Sequence, residues 1–172
     1  MTEDKHNRPN WDEYFFKIME VVGLRGTCDR GRSGCVIVRN NHILCTGYVG
    51  SPPGLAHCDE AGHIMIKSTN ENDPQEELHA HCVRTIHAEQ NALAHAARIG
   101  VALKGSTIYV KMEPCPVCTR LLIAAGIKEV ICQFKYHSGN VAREMLSEAG
   151  VEFKVVNDEH NKYEGVEDPS KG

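Results

Sequence analysis

The 172-residue sequence has no apolar run near the ~18 residues a membrane-spanning helix requires, which excludes a helical membrane anchor. Met1–Asn10 is polar and charged, without the apolar core and small-residue cleavage site of a secretory leader. Internal repeats and long low-complexity tracts are also missing, so solenoid and linker architectures drop out. The 19 Lys and Arg are scattered under a net charge of −4, and no basic stripe follows a nucleic-acid backbone. The expectation is a soluble cytoplasmic protein with no membrane or nucleic-acid partner. Its small-molecule partner is expected to be a free nucleotide.

What remains is an ordinary globular composition, 41% apolar and 24% charged. Trp11–Leu24 carries apolar residues at helical spacing and is followed by Gly26. Gly34–Val38 and Ile43–Tyr48 are β-rich runs about Asn40-Asn41, which reads as a hairpin. Residues 55–85 form a long polar excursion without a period, and stretches of that length in compact domains are functional or held by something other than a core. Beyond it, helices expected at 87–98, 114–125 and 140–149 alternate with strands at 106–111, 129–134 and 151–156, a pattern that makes neighbouring strands parallel. The expected fold class is α/β, a three-layer α/β/α sandwich around a mixed five-stranded sheet. One domain is expected over 1–172, with a core of about 11–156 and a polar tail at 157–172.

Eight cysteines in an intracellular chain of this length point to metal ligation and plain burial before disulfides. Cys35, Cys45 and Cys132 lie in apolar runs and read as core. Cys115 and Cys118, three apart at the expected start of a helix, put two sulfurs on one face where the helix dipole favours thiolate. His87, at the start of another helix, supplies a third ligand, and the fourth tetrahedral position is left for water, the arrangement of a catalytic zinc. A closed structural ribbon would show a second Cys-x-x-Cys, and none is present. Two thiolates soften the ion as a Lewis acid, so the water needs a base, and Glu89 is the candidate. His87 and Glu89 converge only if the helix begins there and points its end at the metal. Glu89 would then take a proton from the activated water and return it to the ring nitrogen beside the attacked carbon, before ammonia leaves.

His87-x-Glu89 with Pro114-Cys115-x-x-Cys118 is the signature of zinc-dependent nucleobase deaminases. Together with Gly34 before a strand, Gly47-Tyr48-Val49-Gly50-Ser51-Pro52 and Ala124-Ala125-Gly126-Ile127-Lys128, it makes residues 11–156 resemble the deoxycytidylate (dCMP) deaminase family of the cytidine deaminase superfamily. The resemblance implies a cytidine deaminase-like fold, hydrolysis of dCMP to dUMP and ammonia in supply of thymidylate, and a homo-oligomer, suggested by the family to be a hexamer. It also implies dCTP and dTTP as effectors, with Mg2+ accompanying them, and matches Arg98 to a regulatory helix position. An Arg at a helix C-terminus also serves the dipole, so both readings of Arg98 stand. Val49 departs from the family's Asn and can form no hydrogen bond to a sugar. Arg30, Arg32, Lys135 and Tyr136 are candidate phosphate contacts, as cationic or hydroxyl donors.

Some members carry a second, structural zinc. The matching positions are Cys28, Cys58, His81 and Cys82, with His57, His63 and His79 as substitutes. His81 and Cys82 are adjacent, so in an extended segment they face opposite ways. Two other readings remain open at this point: deamination of another base, such as a riboflavin-pathway pyrimidine or a tRNA adenosine, and a non-catalytic zinc-stabilised interaction protein.

Overall fold

The computed structural model describes residues 8–67, 80–136 and 139–160. Its first helix, α1 (Trp11–Gly23), starts where Asn10 accepts from the Glu13 amide while the Glu13 carboxylate accepts from the Asn10 amide, a reciprocal capping box. Strands β1 (Gly34–Arg39) and β2 (His42–Tyr48) form the expected hairpin. Asn40 and Asn41 turn it with φ of 52° and 60°, the left-handed conformation that Asn tolerates best among residues with a Cβ.

Among the described residues of the polar excursion, regular structure consists of a short helix, α2 (Cys58–Ala61), and a two-stranded ribbon of β3 (Met65–Lys67) with β4 (Ala80–Cys82). Too short to show a period in sequence, these pieces escape detection there. The chain then runs α3 (Ala88–Ile99), β5 (Thr107–Met112), α4 (Pro116–Ala124), β6 (Glu129–Lys135), α5 (Asn140–Glu148) and β7 (Glu152–His160). The last strand passes the expected start of the tail at Asn157, because the parallel ladder to β6 continues after a register shift to pair Lys135 with His160. Residues 161–172, the rest of that expected tail, lie outside the described residues.

The five-stranded sheet has the order β2-β1-β5-β6-β7, antiparallel through β1 and parallel from β5 to β7. It is mixed and five-stranded, as expected. β1 alternates its side chains between two cores. Val36 and Val38, with Tyr109 and Ile131, pack against Phe15, Phe16 and Met19 of α1. Cys35 and Ile37, with Ile108, Val110, Val130 and Cys132, face Ala88, Ala92, Leu122 and Leu146 of α3, α4 and α5. The sheet is therefore sandwiched between helices, and Cys35, Cys45 and Cys132 are core residues.

One close approach positions α3. Ala88, Ala92 and Ala96, four residues apart, form a buried seam of small side chains laid against β2. At Gly47 of β2 a Cβ would collide with the Ala88 carbonyl oxygen and Ala92, so only glycine lets the helix sit this near the sheet.

Asp12 ties α1 to the far edge of the sheet, accepting from Tyr109 Oη at 2.9 Å and Lys154 Nζ at 2.6 Å. Burial alone would push its carboxyl up, but the bonds from Lys154 and Tyr109 outweigh that and hold it below the ordinary 3.8. A carboxyl depressed in the folded state contributes stability above its unfolded pKa and loses it as pH falls through the folded value. Asp12→Asn should therefore lower the urea midpoint by a constant amount from pH 7 to 5, and the gap to wild type should close below about pH 4. A gap independent of pH down to pH 3 would contradict this.

Candidate functional site

Antiparallel β1 makes β2 run in the direction of β5 and β6, so the ends of these three strands meet at one edge. Ligands of open α/β sheets bind at such an edge. Here it gathers the loop after β2, the start of α3 and the start of α4.

His87 is the N-cap of α3, with φ −69° and ψ 159°, and Glu89 occupies the second helical position. The turn into the helix resolves the spacing problem of two residues that a continuous helix would point apart. The His87 amide donates to Gln90 Oε1 at 2.9 Å, which fixes that turn. The segment before it is anchored to the loop after β2: Gly50 and Ile86 exchange backbone bonds of 3.2 and 3.0 Å, and Asn91 Nδ2 donates to the Tyr48 carbonyl at 2.9 Å. Val49 lies in that loop, its backbone already bonded to Thr27 and Ser33.

Cys115 is the N-cap of α4, and Pro116, not Pro114, takes the first helical position, where a missing N–H costs least. Pro114 instead lies fully buried ahead of the helix. Cys118 follows at the third helical position, and its amide donates to Cys115 Sγ at 3.5 Å. His87 Nδ1 lies 3.6 Å from Cys115 Sγ and 3.4 Å from Cys118 Sγ. A tetrahedral zinc with Zn–N of about 2.0–2.1 Å and Zn–S of about 2.3 Å sets N···S separations near 3.5 Å, so the three donors already stand at the spacing the ion imposes. They fit it.

The charges are arranged for the same ion. Hydrogen bonding from Cys118, reinforced by His87, holds Cys115 down at about 3 against the opposing effect of burial. The bond to Cys115 in turn raises His87 to about 9, while Cys118, as the partner that keeps its proton, is pushed far up. A divalent cation replaces those protons, so affinity for it should rise with pH. Glu89 is 9% exposed, and burial pushes its carboxyl above the ordinary 4.5 even with His87 pulling it down. A carboxylate raised in this way is a stronger base, suited to take up a proton and return it. Beneath it, Cys35 Sγ donates to the Ala88 carbonyl, and burial keeps that thiol protonated.

A second group of donors lies around the excursion. Cys28, in the loop after α1, stands with Cys58 at the start of α2 and His63 just after it, their ligand atoms within 4.8 Å of one another. Cys82, at the end of β4, adds a sulfur 3.6 Å from Cys58 Sγ. Burial acts to raise the Cys82 thiol, but hydrogen bonds, that with the Arg84 backbone foremost, hold it down at about 7. His63 Nε2 contacts Asp29 Oδ1 at 3.0 Å, and its buried Nδ1 has no hydrogen-bond partner among the described residues. A histidine held by a carboxylate on one nitrogen presents the other to a metal. The segment is tied in by bonds from the Asp59 amide to the Thr27 carbonyl, 3.4 Å, and from Arg84 Nε to the Gly62 carbonyl, 2.9 Å.

Of the expected ligands of this second group, Cys28, Cys58 and Cys82 come together. β4 is extended at His81 and Cys82, and the His81 side chain, like all of His79, lies outside the described residues. His63, expected only as a substitute, takes a place in the cluster. Asp29 was missed, although its adjacency to Cys28 was visible in sequence. Arg30 Nη1 reaches Met65 Sδ of the ribbon at 3.2 Å. Arg32 and Arg98 are exposed, and Arg98 Nη2 lies 3.4 Å from His95 Nδ1 in the last turn of α3. Lys135 and Tyr136 are half-buried at the end of β6, on the edge that carries the metal loop. The buried Glu113 and the half-buried Arg143 form an ion pair next to that loop that the sequence does not single out, although Glu113 abuts Pro114-Cys115.

A family profile described as "Cytidine and deoxycytidylate deaminase zinc-binding region" matches residues 9–134. The chain is 37% identical over 149 residues to the "ComE operon protein 2" of Bacillus subtilis, covering 87% of this chain and 72% of that protein. It is 33% identical over 147 residues to the "Deoxycytidylate deaminase" of Schizosaccharomyces pombe, covering 86% of this chain and 44% of the yeast protein, so it spans less than half of that relative's length. Among solved structures, the dCMP deaminase from cyanophage S-TIM5 in complex with dCMP and dUMP superposes with a TM-score of 0.67 at 27% identity, over 88% of this chain and all of that one. Fold, metal donors and these relatives agree, and the chain belongs to the cytidine and deoxycytidylate deaminase zinc-binding family.

Proposed function

We propose that this protein is a zinc-dependent dCMP deaminase, producing dUMP and ammonia. The observation that carries the reading is the convergence of His87, Cys115 and Cys118 at zinc spacing with a buried, raised Glu89 at the start of the same helix as His87. His87, Cys115 and Cys118 would hold the ion, and its chemistry when bound is to acidify water and make it a nucleophile at neutral pH. Glu89 accepts the nucleophile's proton, delivers one to the ring nitrogen beside the attacked carbon, and assists departure of the amine as ammonia. The relatives named as deoxycytidylate deaminases, and the structural neighbour holding dCMP and dUMP, support this choice of nucleotide. No helix of the described residues is long and apolar enough to cross a membrane, which accords with a cytoplasmic enzyme of nucleotide supply.

The finer parts of the reading are the single domain over 1–172, a homohexamer, control by dCTP and dTTP with Mg2+ at Arg98, and phosphate contacts from Arg30, Arg32, Lys135 and Tyr136. A panel of dCMP, CMP, deoxycytidine and dCTP, followed by ultraviolet loss of the aminopyrimidine with and without dCTP and dTTP, tests the phosphate contacts and the nucleotide control. dCMP should be turned over fastest. Preference for an unphosphorylated nucleoside would refute the phosphate contacts.

A second, structural zinc on Cys28, Cys58, Cys82 and His63 belongs to the same proposal. It would cross-link the polar excursion to the end of α1, where the chain offers too little apolar surface for a core. Elemental analysis should give two zinc per chain, and Cys28→Ser should give one, with Tm lower by on the order of 5 °C or more. One zinc in the wild type, or an unchanged content in the variant, would remove this site from the account.

A further inference from the structure

We infer that Glu113 and Arg143 are positioning residues for the phosphate side of the nucleotide, an inference that rests on the dCMP reading above. Glu113 follows β5 and precedes the metal loop, and its side chain is fully buried. A carboxylate out of water must be paired, and both of its oxygens are engaged: Arg143 Nε on Oε1 at 2.6 Å, Arg143 Nη2 on Oε2 at 2.9 Å, and the Tyr136 amide on Oε2 at 2.8 Å. Bound in this way, Glu113 has no part in moving protons. Its effect is geometric.

Three segments meet at this carboxylate. Glu113 belongs to the loop that carries Cys115 and Cys118, Tyr136 follows β6, and Arg143 lies on α5. The parallel register places Met112 beside Phe134, so the chain just beyond β5 runs beside Lys135 and Tyr136 just beyond β6. At Gly139 a Cβ would collide with the Glu113 carboxylate, so the backbone entering α5 also closes on it. An apolar contact could join α5 to β5 equally well, but it could not orient a backbone N–H. The ion pair does so, and it thereby sets where Lys135 and Tyr136, the cationic and hydroxyl donors of this edge, stand relative to the metal loop. A nucleotide whose base reaches the metal and whose phosphate reaches those donors is held at both ends by one rigid assembly.

The test is Glu113→Gln, which keeps the shape and removes the charge. With wild-type turnover of dCMP as reference, KM for dCMP should rise about tenfold while kcat stays within about twofold. Inhibition by dUMP should weaken in the same proportion, and zinc content should not change. A fall in kcat at unchanged KM, a loss of zinc, or unchanged constants would overturn the inference. Should Glu113→Gln fail to fold, the double variant Glu113→Gln, Arg143→Met removes the charge opposite the missing one and is held to the same readings. A wild-type protein inert toward dCMP would refute the functional reading itself, before any variant is compared.

Discussion

Glu89→Gln should lower dCMP turnover by about 10³-fold, the magnitude expected when an enzyme loses its general acid and base. The amide is the same size and shape as the carboxylate and can still hydrogen-bond, so neither the fold nor the zinc content should change. What it cannot do is accept a proton. Burial makes the wild-type carboxyl a stronger base than a solvent-exposed one, and the same burial shields the neutral amide from any compensating role for solvent. Steady-state rates, thermal unfolding and elemental analysis on one preparation check all three statements. Near-wild-type turnover in this variant would show that Glu89 is not the group that moves the protons.

Cys118→Ala should abolish activity to a similar or greater extent, by a different route that metal analysis separates. Cys118 is fully buried, donates its amide to Cys115 and stands 3.4 Å from His87 Nδ1. Its removal takes away one of three ligands. Zinc should fall by one per chain and turnover by at least about 10³-fold, because the acidified water is lost with the ion. The two variants thus share a kinetic phenotype and differ in stoichiometry. Retention of a full zinc complement by Cys118→Ala would show that the ion is held elsewhere.

The first centre was legible in sequence because its chemistry is local. Each half lies at a helix start, and the helix phase fixes which donors converge. Even the awkward two-residue spacing of His87 and Glu89 predicted that the helix must begin at the histidine, as it does. The sheet was legible for the same reason, through alternating strand and helix periods. The second cluster was legible only through the family resemblance, which named Cys28, Cys58 and Cys82 and gave His63 as a substitute, since its members come from a loop, a one-turn helix with the residues after it and a three-residue strand with no periodicity to align them. Only their placement in space distinguishes His63 from the other histidines of the excursion. The Glu113–Arg143 pair was hidden in another way, because 30 residues separate the partners and nothing local in either segment announces the other.

The central claim is most directly tested by incubating the purified, zinc-loaded chain with dCMP and quantifying products. The account predicts dUMP and ammonia in equal amounts, formed at a rate that chelation abolishes and Glu89→Gln suppresses. A folded, zinc-replete protein that leaves dCMP intact would contradict it.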